Sequence, residues 1–515
     1  MHNHPNRRRA LALGTSGLLA AAARVPAGAA DANQRLVLNG VTIVDTHDGT
    51  LSRNMTIVIA NGKIARIAAA GSIPADRSAR TVDARGTFVV PGYNDLHAHP
   101  LNMADPEGAL TLMLANGITG FRQLAASPEM LAARSRGQLL PPVETPELLE
   151  MPGNTLAGPN ARSPEAVVAE VQAQKTQGAD FIKVIDVRPD VFFAAVAEST
   201  RQGLRFLGHL PPSVNVRDAA TAGMHSIEHM GPRDSILLGC STDEAALRAI
   251  MAQNPPQPPP PRSGPMTASD VRRSVANPTV DTPAAEFVRY QRVIDTFNAP
   301  RSLDLAAHFV ATGTWLNPTL IRVRTMEFGD DEQYWNDPNL RYVPKTTRAM
   351  WEDVSREFST KLSAPARATL KSLFALQTSL VKPFKAAGVK MLAGTDVGGG
   401  FVIPGFSLHQ EFDLLEEAGL APLDVLQMTT LNGAQFLGRE STMGSVAEGK
   451  DANLVVLTDD PLVSVQNLHN ISAVVRAGVY HSAADLDGMK KKTERRVATG
   501  TFAAFTGLPP CGCSA

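Results

Sequence analysis

Residues 34–90 alternate short apolar runs with polar turns, the two-residue period of strands that bury one face. Leu36-Val37-Leu38 leads into Asn39-Gly40, residues 41–44 into a polar stretch, and residues 56–60 into Asn61-Gly62. The last dipeptide favours a tight hairpin. Runs at 63–68 and 87–90 complete a small all-β unit, and His47 sits in one of its turns as a solvated residue. A related composition returns at 443–480, with a turn-rich lead-in at 444–449, an apolar run at 453–457 and another at 472–477 before Gly478. Two β-rich ends around a long middle predict one small β-sandwich built from both terminal segments.

Between these ends the period changes. A helical pattern at 109–116 precedes a strand pattern at 117–123. Ser163-Pro164-Glu165 opens a helix with a cap residue and a first-turn proline, and Gly178 stops it. Strands are expected at 180–185, 205–209, 225–229, 314–320 and 389–395, with helical stretches at 191–202, 216–222 and 345–387. Roughly eight such units between 89 and 442 predict an α/β fold of the (β/α)8 TIM-barrel type, with its site at the C-terminal strand ends. Residues 136–160, containing Pro141-Pro142-Val143-Glu144, give no clear third strand. The proline-rich stretch 254–265 excludes helix and central strand, so 252–300 reads as an insertion placed where a lid could form. The expected organisation is an export signal at 1–30, sandwich at 31–90, barrel at 91–442, sandwich again at 443–485, and a tail at 486–515.

Composition narrows the function classes. At 515 residues, 43% hydrophobic and net charge −1, the chain reads as a soluble globular protein with no case for a nucleic-acid partner. Arg7-Arg8-Arg9, the small-residue apolar run 10–23 and small residues at 27–30 form an export signal. Its consecutive arginines are similar to a twin-arginine signal for periplasmic export of a folded protein, with an ordinary signal peptide as the alternative. The run is too short to keep the mature chain in a membrane. Cys240, Cys511 and Cys513 build no disulfide framework; Cys511-Gly512-Cys513 is either a chelating or pairing motif or a loose tail. A small-molecule substrate and a homo-oligomer are expected.

The candidate chemistry starts at Pro91-Gly92-Tyr93-Asn94-Asp95-Leu96-His97-Ala98-His99. On an extended strand, Asp95, His97 and His99 share one face, and two imidazoles about 7 Å apart can chelate one cation. Lys183, His209, His229 and Asp396 each fall on, or at the end of, a separate expected strand. Each alone could be structural, but six such residues at strand ends point together to a metal site.

These marks resemble the amidohydrolase superfamily over almost the whole chain. The matching segments are Pro91-Gly92 with Asp95-Leu96-His97-Ala98-His99, Gly178-Ala179-Asp180-Phe181-Ile182-Lys183, Gly208-His209, Ser226-Ile227-Glu228-His229 and Ala393-Gly394-Thr395-Asp396. Asn432-Gly433-Ala434 and the segment from Gly444 to Val455 also match. The likeness is greatest to the imidazolonepropionase-like and metal-dependent prolidase branch. It implies two divalent metal ions, zinc for preference. His97, His99 and Asp396 would hold the more buried ion and His209 with His229 the second, with Lys183 bridging them as a CO2-derived carbamate. A hydroxide bridged between two metals is a nucleophile near neutral pH, and Asp396 would be the catalytic proton carrier. Asp95 supports the strand end, and His225 packs within the barrel.

The implied function is hydrolysis of an amide or peptide-like C–N bond, in an Xaa-Pro dipeptide, an N-acyl amino acid or a related amide. Alternatives are a lactone or phosphotriester hydrolase, and a mononuclear deaminase or cyclic-imide hydrolase. Against deamination, Leu210-Pro211-Pro212-Ser213 follows His209 where deaminases commonly place a glutamate, and Lys183 would have no role. A non-catalytic exported binding protein that kept the barrel is the non-enzyme reading. Arg188, Arg322 and Arg324 follow expected strands and are candidates to grip a substrate carboxylate. Val184-Ile185-Asp186-Val187-Arg188 departs from the small-residue turn common in relatives, which leaves the substrate pocket less defined than the metal ligands.

Overall fold

A computed structural model describes residues 35–500 apart from 75, 142–143, 231–234, 254–272 and 274. The export signal, Cys511, Cys513 and the proline-rich stretch lie outside the described residues.

Five strands come from the N-terminal part: β1 (Leu36–Val44), β2 (Leu51–Ala60), β3 (Lys63–Ala69), β4 (Arg80–Asp83) and β5 (Phe88–Pro91). The middle supplies β6 (Tyr93–Ala98), β7 (Ile118–Gln123), β8 (Glu147–Glu150), β9 (Leu156–Ala157), β10 (Phe181–Asp186), β11 (Arg205–Gly208), β12 (Met224–Glu228) and β13 (Trp315–Asn317). The C-terminal part adds β14 (Leu454–Leu457), β15 (Ile471–Arg476) and β16 (Val479–Ser482).

Strands from the two ends share one eight-stranded sheet in the order β16-β15-β14-β5-β1-β2-β3, with β4 beside β1. The seam is the antiparallel pairing of β14 with β5, where Val455 faces Val90 and Val456 faces Val89. The period-2 pattern sorts the side chains. Val89, Leu454 and Val456 join a cluster with Leu38, Ile57 and Val475, while Val90, Val455 and Leu457 face the opposite way into the main core. At the β2–β3 hairpin, Asn61 (φ 52°) and Gly62 (φ 72°) both take the left-handed conformation that a two-residue turn requires.

In the middle, backbone pairing gives two parallel sheets, β9 to β13 in sequence and β6-β7-β8, instead of a single closed ring. Segment 389–397 touches an edge of each: Leu392 N donates to Leu316 O and Leu96 N donates to Ala393 O, both at 3.0 Å. Expected as a strand, this segment makes only isolated bridges, Leu316 with Met391 and Ala98 with Val397. The helix before β10 runs Pro164–Gln177; Ser163 Oγ accepts from Ala166 N, and Gly178 (φ 87°) ends it.

Three sequence expectations need correction. A strand does occur in 136–160, as β8 followed by β9, because Arg439 and Arg205 from distant elements pair with the acids Glu147 and Glu150 at the ends of β8. Residues 345–387 form two helices, Lys345–Lys361 and Ala364–Ala386, with Ser363 capping the second. The expected tail begins as a helix, Ala483–Thr499, held by a Ser482/Asp485 capping box and by Arg496 on Asp105 and Glu107. Among the described residues, no helix is long and apolar enough to cross a membrane.

Candidate metal centre

The chemistry-bearing residues collect where parallel strands end. His97 is on β6 and His99 directly follows it; Lys183 is on β10; His209 and His229 follow β11 and β12; Asp396 lies near the end of segment 389–397. One ligand atom each from His97, His99 and Asp396 lies within 4.8 Å of the others. Asp396 Oδ1 stands 3.2 Å from His97 Nε2 and 2.9 Å from His99 Nε2. A second pair adjoins this trio, with His209 Nε2 and His229 Nε2 3.1 Å apart. The His97 and His229 ring centroids, 4.5 Å apart, join the two groups.

His97 is held from behind. His97 Nδ1 donates to Glu228 Oε2 at 2.8 Å, and Glu228 Oε1 accepts from Arg122 Nη2 at 2.6 Å and Ser226 Oγ at 2.8 Å. Arg122 and Glu228 are fully buried. Burial alone would raise the Glu228 carboxyl, but Arg122, His97 and Lys183 hold it well below the usual carboxylate range. With Glu228 ionised, the His97 proton belongs on Nδ1. That leaves the Nε2 lone pair, which makes no hydrogen bond, directed at a carboxylate oxygen. Two electron-rich atoms so placed call for a cation between them. The imidazole and carboxylate donors match what zinc accepts.

His229 Nδ1 and Thr319 Oγ1 are hydrogen-bonded at 2.6 Å. Burial pushes His229 well below its ordinary pKa, so its ring is the neutral form a cation requires. His229 (φ 76°), Thr319 (φ 45°) and Asp396 (φ 56°) are non-glycine residues in the left-handed region. Strain of this kind costs on the order of 1–3 kcal/mol per residue and gathers at functional sites. Burial opposes ionisation of Asp396, but His97 and His99 beside it keep it well below the ordinary range. Asp95 accepts from Thr395 Oγ1 at 2.6 Å and Thr395 N at 3.1 Å, tying β6 to segment 389–397; burial raises its carboxyl to about 7. Lys183 is 1% exposed, and its charge reaches both Glu228 and His229. His225 packs on the Phe436 ring.

Each of the three arginines is engaged by a group of the chain itself. Arg188 is exposed and paired with Asp190. Arg324 bonds Asp331 and Tyr334. Arg322 lies at the site but donates from Nε to Asp396 Oδ2 at 3.1 Å, because helix Leu320–Glu327 begins directly after the Thr319 turn and aims it inward.

Solved structures similar to this chain include a bottromycin amidohydrolase, with a TM-score of 0.64 and 23% identity, covering 91% of this chain and 92% of that one. An Xaa-Pro dipeptidase with methionine bound in its active site has a TM-score of 0.57 and 17% identity, covering 87% and 100%. These identities speak for the fold. A curated protein of Deinococcus radiodurans named "Probable guanine deaminase" is 43% identical over 81 residues, which span 14% of this chain and only 18% of that relative. The profile of the Amidohydrolase family matches residues 284–492, a span that includes Arg322, Asp396 and β14 to β16. The family match is confined to that span, less than half of the chain.

Sequence reasoning missed the residues behind the ligands. Glu228 stood within a recognised segment but carried no role, although the alternation of Ser226 and Glu228 on β12 places both on one face. Arg122 and Thr319 gave no local signal, since their roles depend on partners 106 and 90 positions away in the chain.

Proposed function

We propose that this chain is a binuclear metal-dependent hydrolase that cleaves an amide or peptide-like C–N bond. We read its two parallel sheets, with segment 389–397 between them, as one (β/α)8 barrel. The observation that carries the reading is the buried convergence of His97, His99 and Asp396 beside the facing His209 and His229. His97, His99 and Asp396 would hold one cation and His209 with His229 the other. Lys183 would bridge them as a carbamate, a form in which a buried lysine becomes an anion. Bound divalent cations supply Lewis acidity and a water that ionises near neutral pH. Asp396 would be the residue that takes up a proton and returns it to the departing amine. Glu228 fixes the tautomer of His97, and Thr319 fixes the ring of His229.

The substrate class we favour is an Xaa-Pro dipeptide, an N-acyl amino acid or a related amide, a reading supported by likeness to the Xaa-Pro dipeptidase and the bottromycin amidohydrolase. The amino-terminal pattern supports action in the periplasm. The test is a screen of Xaa-Pro dipeptides and N-acyl amino acids with zinc-loaded protein. Turnover of either class is expected; no turnover of either, with hydrolysis of lactones, overturns the amide assignment. Likeness to the Deinococcus protein favours deamination as a second reading, which ammonia release from purine bases would establish.

A further inference from the structure

We propose that Arg322 is a positioning residue that ties the returning limb of the 252–300 insertion to Asp396, an inference resting on Asp396 being a metal ligand. Its guanidinium is buried and reaches two parts of the chain. Nε donates to Asp396 Oδ2 at 3.1 Å, while Nη1 donates to Ala276 O at 3.1 Å and Nη2 to Val275 O at 2.5 Å. Asp396 thus presents Oδ1 to His97 and His99 and Oδ2 to Arg322. A carboxylate fixed through one oxygen has the other oriented for a cation, the arrangement by which outer partners tune a metal ligand.

The glycine run after Asp396 is an independent sign of this arrangement. A Cβ on Gly399 would lie 2.6 Å from Arg322 Cζ and Nη1, and one on Gly400 would lie 2.6 Å from Ala276 O. Gly400 N also donates to Ala276 O at 3.0 Å. Gly399 and Gly400 therefore make room for the guanidinium and for the backbone of the returning limb. Asn277 extends the contact by donating to Met326 O at 3.0 Å, on the helix that carries Arg322. The limb, the glycine loop and the ligand Asp396 meet at one side chain, so displacing the limb should loosen the ligand.

The test uses the full chain and two variants, Arg322→Met and Gly400→Ala. Hydrogen exchange is read on peptides containing Gly400, and Co2+ affinity is measured by titration. For Arg322→Met, faster exchange at Gly400 is expected, with Co2+ affinity lower by about 10- to 100-fold. On a substrate that the wild type turns over, kcat should fall while KM holds. Gly400→Ala leaves Arg322 and Asp396 in place but pushes on Ala276 O; it should speed exchange and weaken Co2+ in the same direction. Unchanged exchange in Arg322→Met overturns the proposal, as does a raised KM at constant kcat, which would make Arg322 a substrate grip. Faster exchange in Gly400→Ala with wild-type Co2+ affinity also overturns it. A wild-type chain that takes up no Co2+ defeats the metal reading alone, and the exchange measurement still decides whether Arg322 ties the two segments.

Discussion

Replacing Arg122 by Met should destabilise the protein by about 3–5 kcal/mol, because it leaves the Glu228 carboxylate buried without its counter-ion. Arg122 and Glu228 are wholly inaccessible and meet at 2.6 Å. Arg122 also donates from Nε to Leu96 O at 2.8 Å and lies over the Phe436 ring at 4.6 Å. After the substitution Glu228 keeps only the Ser226 hydroxyl and the His97 N–H. Glu228→Gln should cost a similar amount by leaving the guanidinium unpaired in the same place. The sum would consume much of the roughly 5–15 kcal/mol that holds a typical domain together. The double variant Arg122→Met/Glu228→Gln removes both charges and should be milder than that sum by at least about 2 kcal/mol. Urea unfolding followed by tryptophan fluorescence at pH 7 measures all four proteins. Additivity within about 0.5 kcal/mol would refute the claim that the pair is one buried unit.

Other outcomes follow from single groups. Burial raises Glu411 to about 8, above its unfolded value near 4.5, so its stabilisation is present below about 4.5 and is lost as pH rises through about 8; Glu411→Gln should flatten the fall in melting temperature between pH 5 and 9, and a pH-independent difference would refute this. Burial lowers His409 to about 3, so its stabilisation is present above the unfolded value of 6.5 and is lost as pH falls toward 3; His409→Gln should blunt acid unfolding in that window, as read by circular dichroism. Thr319→Val removes the hydroxyl partner of His229 Nδ1 and should weaken Zn2+ binding about 10- to 100-fold by competition with a chelator; affinity equal to wild type would remove Thr319 from the site.

The residues of the candidate site were legible because each is a polar side chain set into an apolar run that ends at a turn. His97 and His99 are the plainest case, with their spacing carried onto one face of β6. The pairing of the two chain ends was legible from their shared period, which the β5–β14 seam now explains. What escaped was long-range. Glu147-Leu148-Leu149-Glu150 did not read as a strand because its terminal acids are neutralised by arginines at 205 and 439. The need for glycine at 399 and 400 depends on Arg322 and Ala276 O, which lie far away in the chain. Arg322 read as a substrate contact because its strand-end position was visible and its helix was not. The helix at Ala483–Thr499 read as a tail despite the Ser482 and Asp485 of its capping box, since its charged surface hides the few residues it buries.

The central claim is that these ligands hold two cations with Lys183 between them. Elemental analysis of the wild type and of Lys183→Ala tests it most directly. About two divalent ions per wild-type chain, with a clear loss in the variant, is the predicted result. Fewer than about one ion per chain, and no loss on replacing Lys183, would contradict it.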